Sequence, residues 1–454
     1  MYFENEADLL KKAQEARGKT FKEIDQYNRL SKKGATGALG QVVEESFFGY
    51  ELNSKSEADF ANLGIELKVT AFKQNKNKTF SAKERLVLNI INYMEEVHYD
   101  FWTSSFWKKN EKLLLMFYEW KPEIERGDFR IIETVLFTFP EADLQVIKND
   151  WEFIVNKIRA GEAHNLSEGD TQYLGACTKG ANKNSVKPQP YSSELAMQRA
   201  YSLKQSYMSA LVRQIISKEK LVQFANTDEL KNKTIEQLLH DRFDAFIGMT
   251  MGEMAEQLNI IINPKNRSAV PNLISAMLGV KGTKLDKIAE FAKANIQFKT
   301  VRLQPSGKPK ESMSFVNINF NEVLQETWEE SFIRNYFLET QILFVVFQYD
   351  NQDVLRFKGI KLWHMPLSTI ENEVFGYWKE IRRVLEEGVV LTKTNKGIQN
   401  NFPKSNFNRV LHVRPKGADG NDKVQLPDGQ WITKQCYWLN ASYIGNLLEE
   451  LGDY

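Results

Sequence analysis

Residues 59–68 read Asp-Phe-Ala-Asn-Leu-Gly-Ile-Glu-Leu-Lys, and residues 290–299 read Glu-Phe-Ala-Lys-Ala-Asn-Ile-Gln-Phe-Lys. Both keep a phenylalanine second, alternating apolar residues near the end and a final lysine. Five other pairs of segments surround them in the same order. Gly18–Ile24 resembles Gly248–Met254, and Val43–Gly49 (VEESFFG) faces Leu273–Gly279 (LISAMLG). Further on, Trp151–Gly161 faces Trp378–Gly388, Lys179–Asn182 (KGAN) faces Lys416–Asp419 (KGAD), and Leu203–Leu211 faces Leu439–Leu447. The offsets, in chain order, are 230, 230, 231, 227, 237 and 236. Coincidental helix and strand patterning does not keep six matches collinear at nearly constant spacing, so the chain reads as two copies of one fold in tandem. The join falls in the polar, helix-prone stretch 217–235, which sets expected domains of 1–220 and 221–454.

Each copy mixes helices and strands without strict alternation, which points to an α/β fold: a mixed sheet flanked by helices. In the first copy the pattern predicts an N-terminal helix, a helix over 39–48 and a strand hairpin around 59–72. Strands follow at 85–91, 113–119 and 130–138, then helices near 144–160 and 203–216. The apolar runs 113–118 (LLLMFY) and 342–347 (ILFVVF) are too short to span a bilayer and read as buried strands.

The 454 residues suffice for two or three domains at roughly 150 each. With 42% hydrophobic and 26% charged residues, the chain has full-sized cores and is not a disordered one. A formal net charge of +1 excludes a uniformly basic protein but leaves room for a basic cleft balanced by acidic surfaces. Two cysteines, Cys177 and Cys436, exclude a disulfide framework and a cysteine-rich zinc site, and fit a reducing, cytoplasmic setting. The five histidines are scattered and unpaired. The amphipathic start of the chain has no apolar signal core, so a cytoplasmic protein with no membrane partner is expected.

On a strand, period two puts Ile65, Leu67 and Val69 on one face and Glu66 with Lys68 on the other. An isolated E-x-K on a strand is usually a solvated edge. Here Asp59 lies seven residues earlier, and the Asn62-Leu-Gly64 turn can fold it back beside Glu66. A carboxylate-bearing helix, GALGQVVEESFFG (37–49), precedes both. The second copy keeps the apolar frame but replaces Glu66 with Gln297, and the helix carboxylates with Ile274 and Ser275. Joint loss of these carboxylates reads as one live metal site and one dead copy. Clustered carboxylates repel one another, and a hard divalent cation such as Mg²⁺ offsets that repulsion. Such a metal polarises a phosphodiester, while Lys68 orients water or stabilises developing charge. Either Glu44 or Glu45 could be the helix carboxylate: Glu44 shares a face with Gly37 and Gly40, and adjacent residues diverge by about 100°.

The ordered set G-x-x-x-E, SKSEADFANLGIELKV, the KGAN loop and LKQSYMSALVRQI resembles MutH, the mismatch-repair endonuclease. It is closer to the two-domain restriction endonucleases related to MutH that recognise GATC, which AKERLVLNIINY (82–93) also resembles. The resemblance spans essentially the whole chain. It implies a PD-(D/E)xK restriction-endonuclease-like fold in each copy, with Asp59, Glu66 and Lys68 catalytic, and Asp59 and Glu66 holding Mg²⁺ together with a helix glutamate. That glutamate falls on Glu44 by distance from Gly40, and on Glu45 by its fourteen-residue spacing to Asp59. A further family lysine falls near Lys109; its bland alternative is a solvated turn. The KGAN loop matches the family's base-reading loop, which places Lys179 on DNA and, in the second copy, Arg414 and Lys416. Arg and Lys suit guanine O6 and N7. The basic run 73–85 (KQNKNKTFSAKER) follows phosphates in this reading.

The sequence therefore reads as a type II restriction endonuclease cutting double-stranded DNA at GATC, whose inert second domain binds DNA and modulates cleavage. One active site per chain implies that two chains meet on the DNA or that one acts twice; dimerisation on DNA or bridging of two sites, and a cognate DNA methyltransferase, are expected. The alternatives are a nicking repair endonuclease, for which a second copy has no use, and a non-cleaving regulator, for which the intact Asp59/Glu66/Lys68 set has none.

Overall fold

The computed structural model describes residues 2–31, 37–50, 57–180, 184–395 and 397–451. They form two compact units. The first runs to Ile235 and also takes in Asp286–Asn295; the second comprises Glu236–Leu285 and the chain from Ile296 onward.

The first unit contains nine strands: β1 Ile65–Gln74, β2 Phe80–Ala82, β3 Leu86–Ile90, β4 Lys112–Glu119, β5 Arg130–Thr138, β6 Leu174–Thr178, β7 Val186–Lys187, β8 Ala196–Met197 and β9 Arg199–Leu203. One sheet has the order β2-β1-β4-β5, with β1 and β4 parallel and the outer pairs antiparallel. A second, antiparallel sheet has the order β3-β9-β6. Strand β4 is central and buried throughout Leu113–Tyr118, which is why it reads as a continuous apolar run rather than an alternation. One face of β1 gives Ile65, Leu67 and Ala71 to a core shared with Phe21, Val42, Val43 and Phe48. Helices Glu141–Arg159 and Gln205–Ile216 belong to the same unit.

The hairpin expected around 59–72 is instead a tight turn. Phe60 bridges Ile65, Leu63 N–H donates to Phe60 O at 2.9 Å, and Gly64 adopts a φ of 65°. The hairpin comes later, where 75–79 turn β1 onto β2. Four residues are too few for two paired strands, but enough to return Asp59 to the strand's start.

The second unit contains β10 Ile296–Leu303, β11 Met313–Asn317, β12 Gln341–Tyr349, β13 Leu355–Trp363, β14 Leu391–Thr394, β15 Gly397–Asn400, β16 Leu411–Pro415, β17 Lys423–Gln425, β18 Trp431–Thr433 and β19 Gln435–Leu439. It repeats the first plan. Strand β10 is parallel to β12, β12 is antiparallel to β13, and β11-β19-β16 form an antiparallel sheet. The duplication extends to register: Ile65 faces Lys112 in the first unit, and Ile296 faces Gln341 in the second. A register shift recurs in the neighbouring pair, at Phe117/Tyr118 and at Val346/Phe347. Each unit is thus a mixed α/β fold. No helix among the described residues is long and apolar enough to cross a membrane.

One segment departs from a simple tandem. Asp286–Asn295, second-copy sequence, folds with the first unit. Val222 N–H donates to Lys287 O at 2.9 Å, Val222 O accepts from Ala289 N at 2.8 Å, and the Glu290 carboxylate accepts from the amides of Phe224 and Ala225, both at 3.2 Å. Lys293 Nζ reaches both oxygens of Asp143, at 2.6 and 2.7 Å, and Tyr207 Oη donates to the same carboxylate at 3.0 Å. Both members of this ion pair are buried. Removing one partner strands the other charge, so Lys293→Met should destabilise the protein by about 3–5 kcal/mol, whereas Lys293→Met with Asp143→Leu should recover most of the loss. Urea unfolding of the two variants distinguishes this from a dispensable contact, which would leave both near wild type.

Candidate active site

Strand β1 buries Ile65 and Leu67 on one face and turns Glu66 and Lys68 to the other. Glu66 is only 3% exposed. Its burial is tolerated because two ammonium groups reach the same oxygen: Lys68 Nζ at 2.8 Å and Lys109 Nζ at 3.6 Å from Oε1. Lys68 also donates to the Leu88 carbonyl at 3.4 Å, which ties the site to β3. Lys109 arrives on the short helix Ser105–Asn110, just before β4. The Ser104 hydroxyl caps that helix by accepting from Trp107 N at 3.1 Å. Asn110 locks its end, donating to Phe106 O at 2.8 Å and Asn89 Oδ1 at 2.9 Å. Asp59 sits at the turn, where its carboxylate accepts from Leu67 N at 2.9 Å while its own N–H donates to Glu66 Oε2 at 3.3 Å.

Glu44 and Glu45 lie on a π-helical stretch, Val42–Phe47, that continues the short α-helix Ala38–Gln41. Phe48 N donates to Val43 O at 3.0 Å, the five-residue return of that winding. The two glutamates have different surroundings. The Arg29 guanidinium holds both Glu45 oxygens, at 2.5 and 2.6 Å. Glu44 instead feels the charges of Asp59, Lys68 and Glu66. Gly40 lies on the same side, where an added Cβ would stand 3.8 Å from Glu44 Oε1, in ordinary contact. Direct contacts join Asp59, Glu66, Lys68 and Lys109; Glu44 is within electrostatic reach of Asp59, Lys68 and Glu66, and Glu45 is paired with Arg29.

Burial raises the Glu44 carboxyl to about 7, with Asp59 the next cause. Burial likewise raises Asp59 to about 6, with Glu66 next; the Leu67 amide and Lys68 pull it back. These groups resist ionising without a cation. Among the described residues no three acidic, histidine or cysteine side chains form a ready metal cage. The donor chemistry nonetheless suits a hard cation of the Mg²⁺ kind, which takes one or two carboxylates and completes its shell with water and phosphate. Asp59 and Glu66 would hold it, with Glu44 alongside.

No hydrogen bond or ion pair among the described residues joins Lys179 to this cluster, and Arg414 and Lys416 belong to the second unit. Lys179 is exposed just beyond β6, its N–H donating to Gln198 O at 2.7 Å. Ala181 and Asn182 of the KGAN loop lie outside the described residues. In the second unit, Arg414 and Lys416 come together on one ring: the Arg414 guanidinium is 5.0 Å, and Lys416 Nζ 5.7 Å, from the Trp438 centroid. Gln297, in the position of Glu66, accepts from Tyr336 Oη at 3.0 Å. Ile274 and Ser275 are buried on an ordinary α-helix, Ala269–Met277. Arg29, Tyr336 and Trp438 escaped the sequence reading, since no local motif marks them.

Comparison with known proteins finds the family model described as the DNA mismatch repair enzyme MutH at residues 48–150 and again at 282–374, once in each copy. A type II restriction enzyme of Staphylococcus aureus, Sau3AI, is 37% identical over 97% of this chain and 97% of its own length. MutH proteins of Pasteurella multocida and Shigella flexneri are each 27% identical, over 40% and 46% of this chain, which is 82% and 92% of their own length.

The raised carboxyls set a pH dependence. A carboxyl whose folded value lies above its unfolded one contributes stability below the unfolded value and loses it as pH rises through the folded one. In EDTA, Glu44→Gln should therefore gain thermal stability over the parent as pH climbs from about 5 to 8, through the value near 7. Melting curves at both ends of that window test it; a constant difference would mean that Glu44 ionises freely.

Proposed function

Since the chain belongs to the MutH-related family of restriction endonucleases, we propose that it is a type II restriction endonuclease hydrolysing both strands of duplex DNA at GATC with Mg²⁺. The observation that carries this reading is the buried Glu66 carboxylate, with Asp59 beside it and two lysines on one of its oxygens. The restriction-enzyme relative matches both copies, which favours it over the nicking repair reading drawn from the single-copy MutH proteins.

In this proposal Asp59 and Glu66 bind the metal, with Glu44 alongside. The metal, when bound, polarises the phosphodiester and lowers the pKa of a water. The chain's own groups do the rest. Lys68 spends two of its three ammonium protons on Glu66 and the Leu88 carbonyl, leaving one donor for the attacking water or a phosphate oxygen. Lys109 adds positive charge on the same side of Glu66, where the transition state gains negative charge. Glu44, whose carboxyl burial holds near 7 without metal, ionises when the cation's charge arrives beside it.

The first copy is assigned the catalysis and the second a role in binding a further DNA site and modulating cleavage. Arg414 and Lys416, presented from Trp438, are its contact residues, as Lys179 is in the first copy. One active site per chain cuts one strand, so two chains meet on the DNA or one acts twice to break the duplex. A methyltransferase that protects the host's own sites completes the system.

Two outcomes follow. Glu66→Gln, the second copy's natural residue, should abolish cleavage while leaving DNA binding, and Lys68→Ala should slow cleavage by roughly 10²–10³. Gel analysis and end sequencing of a linear DNA with two GATC sites read both; nicks alone would move the assignment to repair, and undiminished cutting by Glu66→Gln would remove this cluster from the chemistry.

A further inference from the structure

The strand face that carries the carboxylates in the first unit has a counterpart in the second, and its electrostatics are inverted. A cavity of about 520 Å³ is lined by Arg267, Lys299, Arg302, Lys416, Ser314 and Trp438. Lys299 occupies the register position of Lys68: Lys68 faces Leu115 on β4, and Lys299 faces Phe344 on β12. Its amine makes the same structural bond, to the Ser314 carbonyl at 3.0 Å on β11, as Lys68 makes to Leu88 on β3. The carboxylate that neutralises Lys68 is gone, and Gln297 is satisfied by Tyr336.

The surrounding cations are uncompensated. Among the described residues none of Arg267, Lys299, Arg302 and Lys416 makes an ion pair. Lys416 instead donates to the Ser314 hydroxyl and lies over Trp438. The one carboxylate lining the cavity is that of Glu311, which is exposed. Burial and the nearby Lys416 charge both disfavour the charged form of Lys299. Like charges gathered in a half-enclosed space are stabilised by an anion, and four donors around a concavity suit phosphate oxygens.

We propose that this cavity is a metal-free seat for one internucleotide phosphate of duplex DNA. In the first unit the phosphate is reached through a cation held by carboxylates; in the second, the side chains themselves carry the positive charge. The backbone frame is conserved between the two, so a phosphate drawn to the second cleft is gripped without being hydrolysed. This inference rests on the reading of the chain as a DNA-binding enzyme and specifies where its second copy takes the strand.

EDTA separates the two clefts, because the first unit's carboxylates take phosphate only through a metal. The test is binding of a fluorescent GATC duplex by the full chain in EDTA, over a series of salt concentrations. Lys299→Gln and the exposed Arg302→Gln should each weaken binding roughly tenfold. Each should also lower the slope of log K against log salt by about one, while Lys299→Arg retains both affinity and slope. Unchanged affinity and slope in both Gln variants would overturn the proposal. So would a cavity that takes only free phosphate: Lys299→Gln abolishing ³¹P line broadening of inorganic phosphate but sparing duplex binding. Cleavage with Mg²⁺ is scored separately. Lys299-dependent duplex binding without any GATC cleavage would sink the enzymatic reading and keep the seat; normal cleavage with Lys299-independent binding would do the reverse.

Discussion

A buried carboxylate is the constraint on which the first unit turns. Taking Glu66 out of water costs several kcal/mol unless opposite charge follows it inside. One lysine comes from the same strand two residues on, the other from the helix that feeds β4. The parallel register of β1 and β4 therefore decides whether Glu66 is paired. A slip of one residue would turn Glu66 into the apolar core and Ile65 into the cleft. The apolar run of β4 and the tight turn at 60–64 both serve this register: the first holds β1 against a buried neighbour, and the second brings Asp59 to the same end of the strand.

The second unit shows what happens to that frame when the central charge is removed. The order and register of three of the four strands persist, down to the shift at the antiparallel neighbour, while among the described residues the sheet has no counterpart of β2. Gln297 with Tyr336 forms a neutral pair where Glu66 meets Lys109, so the interior loses its demand for a cation. Lys299 remains, and the cleft becomes basic. One backbone thus supports opposite electrostatics, because the strand's geometry is fixed by the apolar face while its chemistry resides on the other.

Much of this was legible from one sequence. The period-two alternation over 65–69 assigns the faces of β1, and Asn62-Leu-Gly64 announces the turn that returns Asp59. The collinear repeat reveals a second fold with the carboxylates missing. The choice between Glu44 and Glu45 was not legible. The helix rule of about 100° per residue assumes α winding, and the chain is π-wound at Val42–Phe47. Even with the winding known, it is Arg29, a residue of another segment, that claims Glu45. Strands β6 and β9 escaped the pattern as well: all of Arg199–Leu203 is buried, polar residues included, so no alternation marks it.

The fate of Glu290 explains why the second site is lost more thoroughly than its substitutions suggest. Glu290 stands where Asp59 stands in the first copy, so a carboxylate survives at that position. Asp59 folds back over its own strand to accept from Leu67. Glu290 sits on a helix, Ala289–Ala294, that packs into the first unit and caps the amides of Phe224 and Ala225. Lys293 fastens the same helix to Asp143. The chain leaves this helix through Asn295, in the left-handed region, and enters β10 at the next residue. The Glu290 carboxylate is thus engaged by two backbone amides of its own unit, where the Asp59 carboxylate accepts from the strand that follows it. Changing Gln297 back to glutamate would supply one carboxylate, while Glu290 stays tied to the amides of Phe224 and Ala225.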